Sequence, residues 1–158
     1  MGDLQVRKAT SEDIATIIAL LIEDELGASR QEQSPKAMIK YHQAFQLIDC
    51  DPNQYLMVVE NNDMVIATCH LTIMPSLTYS GATRMQIEAV RVSAKFRGQK
   101  IGQYMIDQAI SYAREKGASI IQLTTNKKRN QAKNFYEKIG FVASHEGMKL
   151  MIDPKTNS

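Results

Sequence analysis

The amino-acid sequence predicts an α/β (α+β) fold, a single domain built on a mixed sheet. Three observations carry this. Strand-forming runs alternate with segments whose apolar residues recur at helical spacing, Asn61-Asn62-Asp63 offers a hairpin turn, and strand, helix and strand follow one another from Thr83 to Thr125. The last arrangement demands a parallel pair joined by a right-handed crossover. With 158 residues, 44% hydrophobic and 23% charged, the chain has the composition of a globular domain and the length for one core, so residues 1–158 are expected to form one domain.

Leu4 to Ala9 reads as a short strand. Thr10-Ser11-Glu12-Asp13 then supplies a capping hydroxyl and acids in the first turn, predicting a helix to about Leu26, stopped by Gly27, with Ile14, Ile17, Ile18 and Leu21 on its core face. Ser34-Pro35 repeats the start signal, and Met38, Tyr41, Phe45 and Ile48 follow at helical spacing until Asp51-Pro52. Tyr55 to Glu60 and Met64 to Met74 are rich in strand formers and form the hairpin. In Thr83 to Val92 the apolar positions are Met85 and Ile87, then Val90 and Val92, so the alternation changes phase. An inserted residue, a β-bulge, produces such a flip, and bulges concentrate beside functional sites; the alternative is a fully buried strand that tolerates polar residues. Next come Arg97 to Gly102, a helix carrying Ile101, Met105, Ala109 and Tyr112 up to Gly117, and the strand Ser119 to Thr125. A helix from about Asn130 to Ile139 and a strand from Phe141 towards Ile152 complete the chain.

Nineteen Lys plus Arg against seventeen Asp plus Glu give a net charge of +2, far from the basic excess of a nucleic-acid surface. No nucleic-acid partner is expected, and any polyanion bound is small. The longest apolar run, Ile14 to Ile22, is bordered by acids and too short to span a bilayer; Met-Gly-Asp-Leu-Gln-Val lacks the Ser/Thr of a myristoylation signal, and no lipidation cysteine stands at the end. No membrane partner is expected. Cys50 and Cys69 lie in different apolar stretches without metal-ligand spacing, so neither a metal site nor a disulfide is expected and a cytoplasmic location fits best.

Phe96-Arg97-Gly98-Gln99-Lys100-Ile101-Gly102 lies between a strand and a helix, where small residues let a ligand approach the first helical N–H groups, a place suited to phosphate. It is neither a Walker A motif nor a dinucleotide fingerprint; Gly98 and Gly102 read equally well as turn and packing glycines. With its surroundings the segment resembles motif A of the GNAT superfamily of N-acetyltransferases, Arg/Gln-x-x-Gly-x-Gly/Ala, with Lys100 in place of the first Gly. Ile87-Glu88-Ala89-Val90-Arg91-Val92 resembles the family's bulged fourth strand. Ala132-Lys133-Asn134-Phe135-Tyr136-Glu137-Lys138-Ile139-Gly140-Phe141 resembles its Ala-x-x-Phe-Tyr-x-x-x-Gly-Phe element. A departure is Arg129, where many members have Asn; Asn130 stands next to it and would substitute only if the helix start shifts.

The resemblance implies a GNAT-like domain with about six to seven strands, the bulged fourth splayed from the fifth, and about four helices. It implies acetyl-coenzyme A as cosubstrate, no metal, and a primary amine acceptor, a small molecule ahead of a protein, with the choice between them left open. Pantetheine would pair with the backbone of Val90, Arg91 and Val92. Arg97, Gly98, Gln99, Lys100, Ile101, Gly102 and Gln103 would cradle the pyrophosphate, and Thr124, Asn126, Arg129, Asn130, Ala132 and Phe135 would line the far side of the cleft. Lys100, Lys127, Lys128 or Arg129 would meet coenzyme A phosphates, and the run Lys127, Lys128 and Arg129 reads equally well as a solvated turn.

Direct attack requires a neutral amine, and a primary amine of lysine-like pKa is held protonated at neutral pH by roughly 4 kcal/mol. The resemblance offers Glu88 as the base, acting through water and helped by burial; its structural alternative is to hold Arg84, Arg91 or a bulge amide. A backbone N–H near Val90 would polarise the thioester carbonyl. Tyr136 would protonate the departing thiolate, although Ala132, Phe135, Tyr136 and Ile139 also form a packing stripe. His70 and His145 read as proton relays or as structural histidines. Neither cysteine reads as a nucleophile. Glu23, Asp24 and Glu25, acids against the negative end of the first helix, read as attracting a cationic amine or as solvated surface; Asp24, Glu25 and Tyr79, the last in the loop before the bulged strand, are candidates for the acceptor site. A coenzyme A-binding regulator without turnover is the competing class, and pairing of two copies is left open.

Overall fold

Among residues 3–152, which the computed structural model describes, five strands form one sheet in the order β1-β2-β3-β4-β5. They are β1 (Leu4–Lys8), β2 (Gln54–Asn61), β3 (Met64–Met74), β4 (Thr83–Val92) and β5 (Ala118–Leu123). The first four are antiparallel to their neighbours and β5 is parallel to β4, as the strand-helix-strand pattern requires. Two compact units divide the chain, Met1–Leu123 and Thr124–Ser158. The first holds the whole sheet together with α1 (Ile14–Ile22), α2 (Glu25–Ala28), α3 (Pro35–Cys50), the single turn α4 (Thr78–Gly81) and α5 (Ile101–Glu115).

The β2–β3 hairpin closes through Asn62 and Asp63 at φ 51° and 63°, the left-handed backbone that a tight hairpin needs and that these two residue types tolerate. The pleat divides the sheet. Val58 packs with Ala9, Ile14, Ile17, Ile18 and Phe45 on the side of α1 and α3. Met57, Val59, Ala67, Cys69, Leu71, Met85 and Ile87, no more than 2% exposed, point to the opposite side, where α5 packs on β3, β4 and β5 and brings Ile101, Met105, Ile106, Ala109 and Ala113 to the core.

The single helix expected to run to Leu26 is broken. It starts as a 3-10 turn, Ser11–Asp13, continues as α1 to Ile22, and yields to α2 because Asp24 caps a new turn, its Oδ1 accepting from the Gly27 N–H at 2.6 Å. Gly27 therefore sits inside α2 instead of ending α1. A Cβ there would lie 1.9 Å from the Leu21 carbonyl oxygen, so only glycine allows this approach. With α2 and α4 the described residues hold six helices against the expected four, both additions being single turns.

Arg7 on β1 clasps Asp13 through both Nη atoms, at 2.7 and 2.9 Å, and Glu60 of β2 at 2.6 Å. Asp13 also accepts from the Thr10 N–H at 2.7 Å, closing the helix start. The Arg7 hydrogen bond holds the Asp13 carboxyl below its usual range against the opposing effect of burial, and the two carboxylates push Arg7 up. Because the folded value is depressed, this stabilisation is present above about pH 4 and is lost as pH falls through the folded value. Asp13→Asn is expected to cost about 2 kcal/mol at pH 7, with the difference from the parent protein narrowing towards pH 3 in urea denaturation.

The second unit carries α6 (Asn130–Lys138), closed at Gly140, whose N–H donates to the Glu137 carbonyl. Residues 141–152, expected as a strand, form none. The Ser144 N–H donates to the Val142 carbonyl, a local turn that takes the backbone out of extended geometry, and Val142, Met148, Leu150, Met151 and Ile152 are all more than 80% exposed. This removes the sixth strand from the expected count; the sheet has five among the described residues.

Candidate active site

The change of phase in β4 is a bulge. Glu88 lies opposite His70 and Arg91 opposite Thr68, so Ala89 and Val90 together face the single residue Cys69, and Ala89 takes φ 51°. Met85 and Ile87 point to the α5 side before it. Val90 and Val92 do so after it, because the extra residue inverts the pleat. Pairing of β4 with β5 ends at Ile87 and Leu123, so on that side the backbone of residues 88–92 has no strand partner among the described residues. The Val90 carbonyl accepts from Arg91 Nη1 at 2.8 Å.

From Val92 the chain passes through a 3-10 turn, Ala94–Phe96, and Gly98 at φ 77° into α5. Lys100 is the N-cap of α5 and stands at φ 62° and ψ 14°, a left-handed conformation that costs a side-chain-bearing residue about 1–2 kcal/mol. Thus the position where the family motif has glycine keeps the glycine backbone here. Lys100→Gly is expected to raise Tm by about 1–2 °C in a melting experiment, part of the relief being offset by glycine's greater freedom in the unfolded chain. Among the described residues no side chain caps α5, and no acid stands in its first turn. The N–H groups of Ile101, Gly102 and Gln103 carry the positive end of a fifteen-residue helix, with the exposed Arg97 and Lys100 beside them. An anion fits there. Gln99 donates to the Lys95 carbonyl at 3.3 Å and Gln103 to Asp107 at 2.9 Å, so both amides are engaged locally.

Glu23 fixes this loop, a role that sequence reasoning missed. Its Oε2 accepts from the Ala94 N–H at 2.8 Å and from Arg97 Nη2 at 3.4 Å, and its Oε1 from Ser93 Oγ at 3.3 Å. Arg97 also donates to the Val92 carbonyl at 3.2 Å. The available signal was an acid misplaced at the negative end of a helix, a cost of about 0.3–1 kcal/mol that these donors offset. Of its neighbours, Asp24 caps α2 and Glu25 is exposed in the first turn of that helix.

The face of the sheet opposite α5 carries a polar stretch, Thr68, His70 and Thr72 on β3, Arg84, Gln86 and Glu88 on β4 and Gln122 on β5. Arg84, Gln86 and Glu88 alternate along β4, paired with Met74, Thr72 and His70 of β3. His70 Nε2 lies 2.6 Å from Gln54 Oε1, which also accepts from Thr72 Oγ1 at 3.0 Å. Burial lowers the His70 pKa and the nearby Glu88 carboxylate opposes this, so the neutral ring donating through Nε2 is favoured. Glu88 is exposed, contrary to the burial expected for it, and makes no hydrogen bond or ion pair among the described residues. It therefore holds neither Arg84 nor a bulge amide. Cys69, opposite the bulge, is fully buried and its thiol is pushed up to about 12, which keeps it protonated at neutral pH. Tyr79, 71% exposed in α4, lies 5.4 Å from the Arg84 guanidinium.

In the second unit, Asn126 Oδ1 accepts from the Lys128 N–H at 2.9 Å and its carbonyl from the Arg129 N–H at 2.8 Å, a turn that leads to Asn130 at the start of α6. Arg129 is the α6 N-cap, so Asn130 opens the helix without the shift that would carry it to the position of the family's asparagine. Thr124 is exposed and Ala132 half-buried. Tyr136 is 9% exposed, its ring edge-on to Phe135 at 5.2 Å and to Phe141 at 5.7 Å. His145 is exposed and bonded to Ser144 Oγ at 2.8 Å. Among the described residues no cluster of metal-ligating side chains occurs and no helix is long and apolar enough to cross a membrane.

Known proteins similar to this chain include acetyltransferases and one structure described otherwise. The model of the acetyltransferase (GNAT) family matches residues 18–141. The aminoalkylphosphonate N-acetyltransferase of Salmonella typhimurium is 30% identical over 141 residues, 89% of this chain and 86% of that protein. The glucosamine 6-phosphate N-acetyltransferase of Trypanosoma brucei brucei is 31% identical over 86 residues, 54% of this chain and 56% of that protein. A crystal structure from Bacillus halodurans C-125, described as a transcriptional regulator, is 39% identical with a TM-score of 0.91 over 95% of this chain and 100% of that one. With the bulged β4, the uncapped α5 and the match across most of its length, the chain is a member of the acetyltransferase (GNAT) family, an acyltransferase acting on an amine.

Proposed function

We propose that this protein transfers acetyl from acetyl-coenzyme A to a small primary amine that carries a phosphonate or phosphate group. The observation that carries the first half is the uncapped, acid-free N-terminus of α5 following directly on the bulge of β4. The family uses acetyl-coenzyme A, and the groups present fit it: three helical N–H groups with Arg97 and Lys100 for a pyrophosphate, and the unpaired β4 backbone at residues 90–92 for the amides of the arm. When bound, acetyl-coenzyme A supplies the activated acyl group as a thioester. The second half is supported by two relatives whose names share one feature, an amine on a molecule bearing an oxidised phosphorus group.

In this reading Glu88 takes a proton from the acceptor ammonium, directly or through water, and the freed amine forms its C–N bond to the acyl carbon. The Val90 N–H polarises the acyl oxygen. As the C–S bond breaks, the attacking nitrogen loses its second proton to solvent, and Tyr136 gives its hydroxyl proton to the leaving sulfur and recovers one from solvent. Thr124, Asn126, Arg129, Asn130, Ala132 and Phe135 keep their assignment to the coenzyme, and Asp24, Glu25 and Tyr79 theirs to the acceptor side. In the same reading residues 1–158 form one cytoplasmic acetyltransferase domain that acts without metal, membrane or nucleic-acid partner.

Thiol release from acetyl-coenzyme A, followed with a panel of aminoalkylphosphonates, phosphorylated amines and simple amines, tests it. Acetyl-coenzyme A alone is expected to raise Tm, since it binds only the native protein. Gly102→Val, which crowds the first turn of α5, is expected to weaken binding at least 10-fold, the loss of about one charge-assisted hydrogen bond. An unchanged affinity in the folded variant would remove the loop from the site. The description of the Bacillus halodurans relative favours a second reading, a coenzyme A-binding regulator. Binding without thiol release across the whole panel would establish that reading in place of the enzyme.

A further inference from the structure

Arg84 has no counter-charge among the described residues. It is half-buried on the polar face of β4, yet among the described residues no carboxylate lies within salt-bridge distance of its guanidinium. Its Nη1 donates to Gln122 Oε1 at 3.3 Å and its Nη2 to Thr78 Oγ1, both neutral partners. Its Nε is buried and has no acceptor. A partly desolvated cation without a carboxylate is costly, and an orphaned donor within the same group adds to the cost. Arg7 shows the ordinary solution elsewhere in this fold, with two carboxylates around one guanidinium.

The surroundings hold the Arg84 fork in place. Gln122 is itself fixed, its Nε2 donating to Gln86 Oε1 at 2.9 Å, so a chain of amides runs from β4 to β5 and back to the arginine. Thr78 is presented by α4, a turn in which Tyr79 and Ser80 both adopt left-handed backbone at φ 50° and 59° without being glycine. Ser76 Oγ braces this turn, donating to the Ala82 carbonyl at 2.6 Å. The Tyr79 ring covers one side of the guanidinium. The remaining Nη hydrogens are left to a ligand, and a planar fork of this kind matches the oxygens of a phosphonate or phosphate.

Arg84 and Glu88 share one face of β4, four residues and about 13 Å of strand apart, with Gln86 between them. An amine that delivers its proton to Glu88 extends the rest of its molecule along that face, and Arg84 Nη1 reaches Gln122, the β5 partner of Gln86 and so part of the way towards Glu88, which lets a compact acceptor reach both ends. Arg91, the other cation brought to this face by the bulge, donates to the carbonyl of its own neighbour Val90. Resting on the acceptor class given above, we propose that Arg84, held by Thr78 and Gln122, recognises the phosphorus oxyanion of the acceptor while Glu88 faces its amine.

The test compares kcat/KM for 2-aminoethylphosphonate, O-phosphoethanolamine and propylamine in the parent protein and in Arg84→Met. The two phosphorus compounds present the same oxyanion from a phosphonate or a phosphate ester, and the better substrate of the parent protein sets the measured arm. We expect the ratio of kcat/KM for that compound over propylamine to fall about 100-fold, mostly through KM, as for loss of a hydrogen-bonded charge. A parent protein with no preference for either phosphorus compound would overturn the acceptor class and this assignment together. A preference that persists in Arg84→Met would overturn the assignment alone. Should Arg84→Met fail to fold, Arg84→Lys keeps the charge and loses the fork, and its ratio is expected to fall about 10-fold; an unchanged ratio there would equally overturn the role of Arg84.

Discussion

Tyr136→Phe is expected to lower kcat about 100-fold while leaving the fold and the KM for acetyl-coenzyme A nearly unchanged. The ring is 9% exposed and packs edge-on against Phe135 and Phe141, contacts that a phenylalanine repeats without change of volume. What the variant lacks is the hydroxyl, so its effect on stability is bounded by one hydrogen bond, about 1 kcal/mol. The effect on rate has a different origin. A leaving thiolate that receives no proton in the transition state is a poorer leaving group, and a positioned acid typically supplies between 100- and 10,000-fold. Steady-state kinetics with one acceptor, beside a melting curve, separates the two: full turnover with a lowered Tm would return Tyr136 to a packing role. The same measurement with acetyl donors whose thiols are more acidic should show a smaller deficit, because such thiols leave without help.

The features that were legible in the sequence are those written in short-range pattern. The β4 bulge shows itself because side chains alternate with period two, so a single inserted residue inverts Val90 and Val92 relative to Met85 and Ile87. The hairpin at Asn62 and Asp63 and the start of α3 at Ser34-Pro35 are likewise local, each set by one or two residues whose conformational preferences match the turn or cap. The break between α1 and α2 was not legible, since Asp24 continues a helical pattern and acts as a cap only through its contact with the Gly27 N–H. The segment 141–152 misled for a related reason. Phe141, Val142 and Ile152 are strand formers and Met148 and Leu150 apolar, but composition does not say whether a partner strand takes up their backbone groups.

At the site, what escaped the sequence is what depends on register between distant segments. Glu23 and Ala94 are 71 positions apart and Arg84 and Gln122 are 38 apart, and nothing in either residue names its partner. Lys100 lay between the two cases: as a departure from glycine it was visible, while its left-handed φ of 62° had to be found in three dimensions. The exposure of Glu88 follows from the same limit. Its place on the polar face is fixed by the pleat, whereas its burial depends on which helices cover that face, and none of them closes over residue 88.

Glu88→Gln is expected to slow acetyl transfer about 100-fold at neutral pH and far less at high pH. The substitution is nearly isosteric and removes only the ability to take a proton. Because Glu88 has no hydrogen bond or ion pair among the described residues, replacing it should leave Tm and the affinity for acetyl-coenzyme A little altered. Below the pKa of the acceptor, nearly all of it is ammonium, and the variant depends on the small neutral fraction delivered by solvent. That fraction rises tenfold for each pH unit until the amine's own pKa, so the rate of the variant should climb with pH and approach that of the parent protein. A carboxylate that merely orients the bulge would act otherwise, lowering the rate by one factor at every pH. The deciding measurement is kcat/KM against pH for both proteins with a single acceptor: converging profiles carry the base assignment, and parallel ones sink it, leaving solvent or the half-buried His70 opposite Glu88 as the proton acceptor.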